Sequence, residues 1–253
     1  MKNKIVHLFP CEKFTSDYIN TINKYFDTEK HYFVIYGNKK DYRLDIHFIK
    51  NVIFVHKLAM LDSKVSCILK KANKIITHSL NDEVINMFYF RVDLINKLYI
   101  CLWGFEIYSM LEKKGILRKL KSIPMHIKKV KVLKNAKGII TLLDGDYKVL
   151  NNIIHTKGKS FTTCYCTDDL SQKEEDQIDL KKTVDPYCIL IGNSATSTNN
   201  HKEIFYNLAK YKNENLIIYV PLSYGDPAYR DIIVKLGKEL FGDKFVPLTK
   251  FIN

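Results

Sequence analysis

The feature that most constrains this chain is a rhythm. Short apolar runs at residues 5–9, 32–36, 75–77, 98–102, 138–143, 187–191 and 216–220 alternate with helical patterns at 14–27, 57–72, 105–121, 124–135, 144–154, 200–212 and 226–241. Runs of Ile, Val, Leu and Phe without polar alternation read as strands buried on both faces, as in parallel sheets. Helices between such strands cover the faces of the sheet. The pattern therefore predicts an α/β fold of Rossmann-like parallel layers and excludes an all-helical or all-β domain.

The rhythm breaks once, at residues 167–185, where seven acidic residues stand against three lysines among few apolar side chains. This reads as an acidic linker between an N-terminal Rossmann-like domain, 1–166, and a second domain, 186–253. The second is short: two full strand–helix units fit before a last apolar run at 245–248, so a partial Rossmann-like domain is expected.

The chain carries 40 Lys and Arg against 27 Asp and Glu, a formal net charge of +13, with 46% hydrophobic residues. Such a chain is globular, and its excess charge calls for an anionic partner. The charge is concentrated. Residues 110–137 hold ten basic residues and one acidic; Lys113, Lys114, Arg118, Lys119, Lys121, Lys128, Lys129 and Lys131 flank an apolar stripe of Ile116, Leu120, Ile123, Ile127, Val130 and Leu133. Pro124 is expected to split this region into two helices. A basic amphipathic pair can lie on an anionic membrane surface, each cation near the lipid contributing about 1 kcal/mol; it can equally pack its stripe on the sheet with lysines in water. Aromatic and basic residues are not interleaved and no reading motif is present, so nucleic acid is not expected as a partner.

No apolar run is long enough to cross a bilayer, and the start is too short of apolar residues for a signal peptide, so an intracellular protein is expected. The six cysteines are scattered among apolar neighbours and read as buried free thiols. Cys164 and Cys166 lack a second pair at ligand spacing, and no metal or other cofactor is expected.

Two runs carry candidate chemistry. In 189–203, ILIGNSATSTNNHKE, a strand delivers the chain to Gly192, and Asn193 to Asn200 open a helix with Thr198 or Asn199 as N-cap. Free amides at that helix start, with Asn193 and Ser194, suit a phosphate; the same residues also make an ordinary polar loop with good caps. In 98–108, LYICLWGFEIY, the single tryptophan stands at a strand end, where open α/β sheets bind ligands. Trp103 can stack on a sugar or fill a core, Gly104 permits close approach, and Glu106 can act as acid, base or hydroxyl acceptor, or simply meet the helix dipole. His78 ends another strand, as a structural group or a catalyst facing the same crevice; His7 lies within the first strand.

The segments WGFEIY (103–108), ILIGNSATSTNNH (189–201) and YVPLSYGDPAYRDIIVKLGKELFGDKF (219–245) resemble, in order and spacing, the WGxDLY, ILVGNSxxxSNxH and VVPxxYxxxxxAYIxxVxxxGxxLF segments of the bacterial TDP-N-acetylfucosamine:lipid II N-acetylfucosaminyltransferases, also called 4-alpha-L-fucosyltransferases. The resemblance covers about 98–110 and 187–245. It implies a GT-B-like fold of two Rossmann-like domains, the second incomplete. It also implies transfer of an acetamido-fucose from a TDP-sugar to a polyprenyl-pyrophosphate-linked saccharide, as in enterobacterial common antigen, at the cytoplasmic face of the inner membrane. Catalysis would fall to Glu106 and His78, and acceptor binding to Trp103, Gly104 and Tyr108. Donor binding would fall to Gly192, Asn193, Ser194, Asn199, His201 and Tyr224. Glu106 stands where the family has Asp, and the family continues for several strand–helix units past the position of Phe245. A truncated protein that binds membrane or acceptor without catalysis is the alternative.

Overall fold

The computed structural model describes residues 4–12, 14–38, 46, 50–57, 63–111, 116–163 and 186–250, with the backbone alone for 116–122. Contacts divide the chain into two compact units, Met1–Glu174 and Glu175–Asn253; the acidic linker lies outside the described residues.

In the first unit, β1 (Ile5–Pro10), β2 (His31–Tyr36), β3 (Val52–Val55), β4 (Lys74–Thr77), β5 (Leu98–Leu102), β6 (Gly138–Thr141) and β7 (Lys159–Thr162) form one parallel sheet in the order β3-β2-β1-β4-β5-β6-β7. Between them run α1 (Thr15–Tyr25), α2 (Ser63–Lys71), α3 (Asp82–Phe90), α4 (Val92–Ile95), α5 (Phe105–Tyr108), α6 (Ile116–Asn135) and α7 (Asp144–Ile154). From β1 the chain adds strands to one side through β2 and β3, then returns to set β4 against the other side of β1. That reversal leaves a crevice at the carboxyl ends of β1 and β4, the place where open α/β sheets take ligands.

The core follows the two-residue strand period. Val6, Leu8, Val34, Ile75, Leu98, Ile100 and Leu102 are buried in one cluster together with α3, α6 and α7, while Phe9, Phe33 and Ile35 are buried on the other face under Ile19 of α1. Elements without a clear signal in the sequence include β3, β7, α3 and the four-residue α4. β3 and β7 are four residues each, and every residue of β7 is exposed. α3 is apolar through much of its circumference, but Asn81 caps it by accepting from Val84 N (3.1 Å), with Asp82 and Glu83 in the first turn.

Helix α6 corrects two expectations. Pro124 lies inside one continuous helix of 20 residues, although an interior proline costs about 3 kcal/mol. The later turns are held by Val132, Leu133 and Ala136 in the core. The apolar stripe also does not run straight: Val130 and Leu133 face the core, but Ile123 and Ile127 are 43% and 56% exposed. Packing of α6 on α3 is made partly by a lysine stem instead. Lys128 Nζ donates to Asn86 Oδ1 (2.8 Å) and lies over the Tyr89 and Phe90 rings at 5.6 and 5.3 Å. The cysteines also differ from expectation, since Cys11 and Cys101 are buried but Cys67 and Cys188 are exposed free thiols; Cys164 and Cys166 lie outside the described residues.

The second unit is a three-stranded parallel sheet, β8 (Tyr187–Leu190), β9 (Leu216–Pro221) and β10 (Phe245–Leu248), in the order β10-β9-β8 with α8 (His201–Leu208) and α9 (Pro227–Phe241) between. β8 was expected to be buried on both faces; as an edge strand it leaves Tyr187 and Leu190 exposed. Phe205, Ile218, Val220, Ile233, Phe241 and Phe245 form the core. Asp226 starts α9 by accepting from Ala228 N (2.9 Å), with Pro227 in the first turn.

Gly237 lies against Phe245, and a Cβ there would meet a ring carbon at 2.4 Å. Gly237→Ala is therefore expected to lower the urea-unfolding stability of the chain by about 1–3 kcal/mol through overpacking. Gly145→Ala, where a Cβ meets nothing within 4 Å, is expected to be neutral or to stabilise by up to about 1 kcal/mol in the first turn of α7.

Candidate active site

The loops that leave β1, β4 and β5 enclose a cavity of about 960 Å³, lined among others by Glu12, Ser79, Asn81, Trp103, Glu106 and Lys129. It sits at the strand-order reversal. Gly104, at φ 93°, makes the sharp turn from β5 into α5 and places Glu106 in the first helical turn. The Glu106 carboxylate accepts from Trp103 N (2.9 Å) and Leu80 N (3.4 Å), so it ties the β4 and β5 loops together. Lys129 Nζ donates to the Glu106 backbone carbonyl (2.6 Å), and the Trp103 indole N–H donates to the His78 carbonyl (2.7 Å). Trp103 stacks on Phe14 at 5.8 Å and is half-buried, so it serves packing and cavity wall together.

Trp103 and Glu106 are thus brought together as the sequence suggested. Gly104 and Tyr108 adjoin the cavity without lining it, Tyr108 donating its hydroxyl hydrogen to Asp146 Oδ1 (2.7 Å). Of the basic residues, Lys113 and Lys114 lie outside the described residues. Arg118, Lys119 and Lys121 are on α6 where the backbone alone is described. Lys128 is occupied by α3, Lys131 lies over Tyr89 at 4.7 Å, and Lys129 turns to the cavity.

Sequence reasoning missed Glu12. It stands two residues past the end of β1, the same strand-end position that drew attention to Trp103, and exposes its carboxylate at the cavity rim. Desolvation by the surrounding protein, and then the negative charge of Glu106, raise its pKa above the ordinary carboxylate value. Its carboxylate accepts no hydrogen bond from the described residues. A carboxylate of raised pKa beside a second, fixed one is a stronger base than an ordinary carboxylate and can accept a proton from a hydroxyl.

The His78 ring does not face this cavity. It is buried, stacked on Phe9 with centroids 3.7 Å apart, and its Nε2 is 3.0 Å from His7 Nδ1; His7 Nε2 is 2.9 Å from His31 Nδ1. Three imidazoles therefore run in a line through the sheet interior, and His31 was not singled out from sequence. Burial, and then repulsion from His31, hold the His7 pKa down at about 3; burial and then His7 hold His78 well below its ordinary value. Among the described residues no group of three or more His, Cys, Asp or Glu is arranged to hold a metal ion.

In the second unit the polar loop after β8 folds on itself. Gly192 is at φ 71°, and a Cβ there would lie 2.6 Å from His201 Nε2. Ser194 Oγ is within 3.0 Å of Asn193 Oδ1, and Asn199 Nδ2 reaches Ser194 O (3.1 Å) and Thr196 Oγ1 (2.9 Å). The helix caps differ from expectation: Asn200, in the left-handed region, precedes α8 without a side-chain cap bond, because Asn199 is turned back into the loop. His201 is fully buried, its Nδ1 3.3 Å from the Tyr229 hydroxyl and its Nε2 without a hydrogen-bond partner. Ala195 N donates to the Tyr224 carbonyl (2.7 Å), so Tyr224 joins the loop through its backbone.

No protein-family model matches the chain, and no curated protein matches it. Solved structures do. A trehalose 6-phosphate synthase from Burkholderia multivorans matches with a TM-score of 0.57 at 10% identity, over 100% of this chain and 73% of that one. A glycosyltransferase from Rickettsia africae matches at 0.55 and 14%, over 98% and 68%. A UDP-N-acetylglucosamine 2-epimerase from Rickettsia bellii matches at 0.54 and 15%, over 98% and 69%. The fold is GT-B-like. At these identities the likeness establishes the fold, and the chemistry must come from the residues.

The buried histidines make a prediction for this GT-B-like chain. A histidine whose folded pKa is depressed takes its proton in the unfolded state first, so stability is complete above the unfolded value of 6.5 and is lost as pH falls toward the folded value. Chemical denaturation between about pH 6 and pH 4 is expected to lose about 1.4 kcal/mol per pH unit from His7 alone. His7→Phe should flatten that slope.

Proposed function

We propose that this chain is a GT-B glycosyltransferase that uses a nucleotide-sugar donor, and more narrowly that it transfers an acetamido-fucose-type sugar from a TDP-sugar to a polyprenyl-pyrophosphate-linked saccharide. The observation that carries the proposal is the carboxylate pair, Glu12 and Glu106, in the cavity at the strand-order reversal of a GT-B-like fold. Glu106, held by two backbone amides, orients the acceptor hydroxyl. Glu12 takes the hydroxyl proton as the acceptor oxygen bonds to the anomeric carbon; the bond from that carbon to the phosphate oxygen breaks, and the nucleoside diphosphate leaves with the electron pair. Gly192, Asn193, Ser194, Asn199, His201 and Tyr224 are the proposed donor-side residues.

A peripheral position at the cytoplasmic face of the inner membrane belongs to the same proposal. Among the described residues no helix is long and apolar enough to cross a membrane. Exposed Phe90 and Val92 on α3 and α4, and Ile123 and Ile127 on α6, occur with Lys128 and Lys131. Apolar side chains mixed with cations suit an anionic lipid surface.

The test is turnover of a TDP-amino-sugar with a polyprenyl-pyrophosphate saccharide. Glu12→Gln is expected to lower kcat by about 10²–10⁴-fold, the usual contribution of a general base. Because the base must be ionised, the rate should rise with pH through the raised Glu12 pKa. Glu106→Gln removes the adjacent negative charge and should move that rise to lower pH. An unshifted profile in Glu106→Gln would remove Glu12 from the role. Absence of transfer with any TDP-sugar, while the protein still sediments with phosphatidylglycerol vesicles, would favour the binding reading instead.

For the membrane, sedimentation with phosphatidylglycerol vesicles is expected to fall sharply in Ile127→Glu and in Phe90→Glu, and to weaken with added salt. Equal sedimentation of wild type and both variants would remove this surface from the proposal.

A further inference from the structure

The line of three histidines is unused by the chemistry proposed above, yet it is an improbable filling for a parallel-sheet core. Apolar residues of similar size would need no polar match and would be indifferent to acid. His31 is the first residue of β2, His7 the third of β1, and His78 the residue after β4, so the line crosses three adjacent strands from the amino edge of the sheet toward the carboxyl edge.

A neutral imidazole has one N–H, and a ring bonded through both nitrogens donates through one and accepts through the other. His7 is such a ring, 3.0 Å from His78 Nε2 and 2.9 Å from His31 Nδ1. Its two bonds are therefore coupled. With His7 protonated at Nε2, His78 donates from Nε2 and His31 accepts at Nδ1. With His7 protonated at Nδ1, His31 donates from Nδ1 and His78 accepts at Nε2. A proton added to the line rests on His31, the most exposed of the three rings, where desolvation lowers the pKa but Asp27 opposes that shift. Both His31 nitrogens are then donors, and only the second arrangement is left: His7 and His78 each carry their hydrogen on Nδ1.

The His78 end of the line borders the cavity. Its carbonyl accepts from the Trp103 indole, Trp103 N donates to Glu106, and the residues that follow it, Ser79 and Asn81, both bond the Tyr36 hydroxyl (3.2 and 3.1 Å) and line the cavity. Other groups facing the line among the described residues include Lys30 beside His31, Lys4 acting on Asp27, and Tyr18 of α1, edge-on to His78 at 4.6 Å. Lys74 and Cys101 line a smaller cavity with the His78 ring. Of these, Asp27 and Lys30 act on His31 directly and in opposite senses.

We propose that His31, His7 and His78 are positioning residues forming a proton-responsive relay: the charge state of His31 at one edge of the sheet sets the tautomer of His78, and through it the seating of the Trp103 and Glu106 turn. One proton is taken up from solvent: His78 gains it at Nδ1 and passes its Nε2 hydrogen to His7 Nδ1, and His7 passes its Nε2 hydrogen to His31 Nδ1, which then carries the charge. The catalytic consequence rests on the transferase reading; the coupling of the rings does not.

The experiment uses the full chain labelled with ¹⁵N-histidine. In wild type the ring nitrogens of His7 and His78 are expected to change tautomer together as His31 titrates. His31→Asn keeps a side-chain bond to His7 but does not titrate, and in it the His78 signals should no longer follow that step. Beyond the fall that Glu12 protonation causes in both proteins, wild-type kcat should fall by about a further tenfold, or about 1.4 kcal/mol in the barrier, as His31 protonates, with the donor KM unchanged, whereas His31→Asn should show less than about twofold of this additional loss. His78 signals that titrate identically in wild type and His31→Asn would overturn the relay. If no sugar transfer is found, the spectra still decide the relay, and the transferase reading fails separately. Thermal unfolding of His31→Asn near the wild-type midpoint shows that the variant is folded.

Discussion

The pairing of β1 with β4 is the constraint from which the site follows. β2 and β3 extend the sheet to one side of β1, and β4 to β7 extend it to the other, so the connections after β1 and β4 leave in opposite senses. Parallel crossovers are right-handed, which sends those connections to opposite faces and keeps the gap between them unfilled by a helix. Glu12 follows β1, Ser79 to Asn81 follow β4, and Trp103 to Glu106 follow β5. Three segments far apart in the chain meet because the register of three strands leaves them no other exit.

What holds that meeting in place is polar and short-ranged. Glu106 takes amide hydrogens from the β4 and β5 loops, the Trp103 indole takes hold of the His78 carbonyl, and Lys129 of α6 takes the Glu106 carbonyl. Hydrogen bonds to charged groups are worth about 1.5–3 kcal/mol each, more than neutral ones. A carboxylate fixed this way cannot readily move away from a neighbour, so its charge adds to desolvation, the larger cause, in raising the pKa of Glu12. In the proposed reaction the fixed group and the titrating group thus have separate tasks, one geometric and one protonic.

The fold class was legible because parallel strands buried on both faces leave continuous apolar runs, and five of the seven strands in the first unit carry them. β7 was not, since an edge strand of four exposed residues has nothing to hide. On α6 the periodicity was real in its later part, where Val130 and Leu133 meet the core, but Ile123 and Ile127 of the same stripe are exposed, and the core takes Val132 instead. Of the site, Trp103 and Glu106 were legible from a strand-end rule. Glu12 obeys the same rule but lies in a stretch without an unusual residue to draw notice. The histidine line was illegible in principle, because residues 7, 31 and 78 become neighbours only once strand order is known.

The three segments that suggested a family enter the structure in two different ways. WGFEIY builds a cavity wall. The segments at 189–201 and 219–245 instead specify each other: Ala195 bridges to Gly225, Asp226 N donates to Ala195 O, and His201 meets the Tyr229 hydroxyl. A Cβ on Gly225 would strike the Ala195 carbonyl oxygen at 2.6 Å, and one on Gly192 would strike His201 Nε2 at the same distance. Both glycines are therefore required by the neighbouring loop before any phosphate is considered. A buried histidine that excludes a Cβ accounts for Gly192 as packing, and the bonds from Asn199 to Ser194 account for the serine. The amides and exposed side chains left over, Asn193 among them, are what a donor would have to use. On the proposed function, a donor in this unit would meet a loop whose shape two sequence segments fix together, not either segment alone.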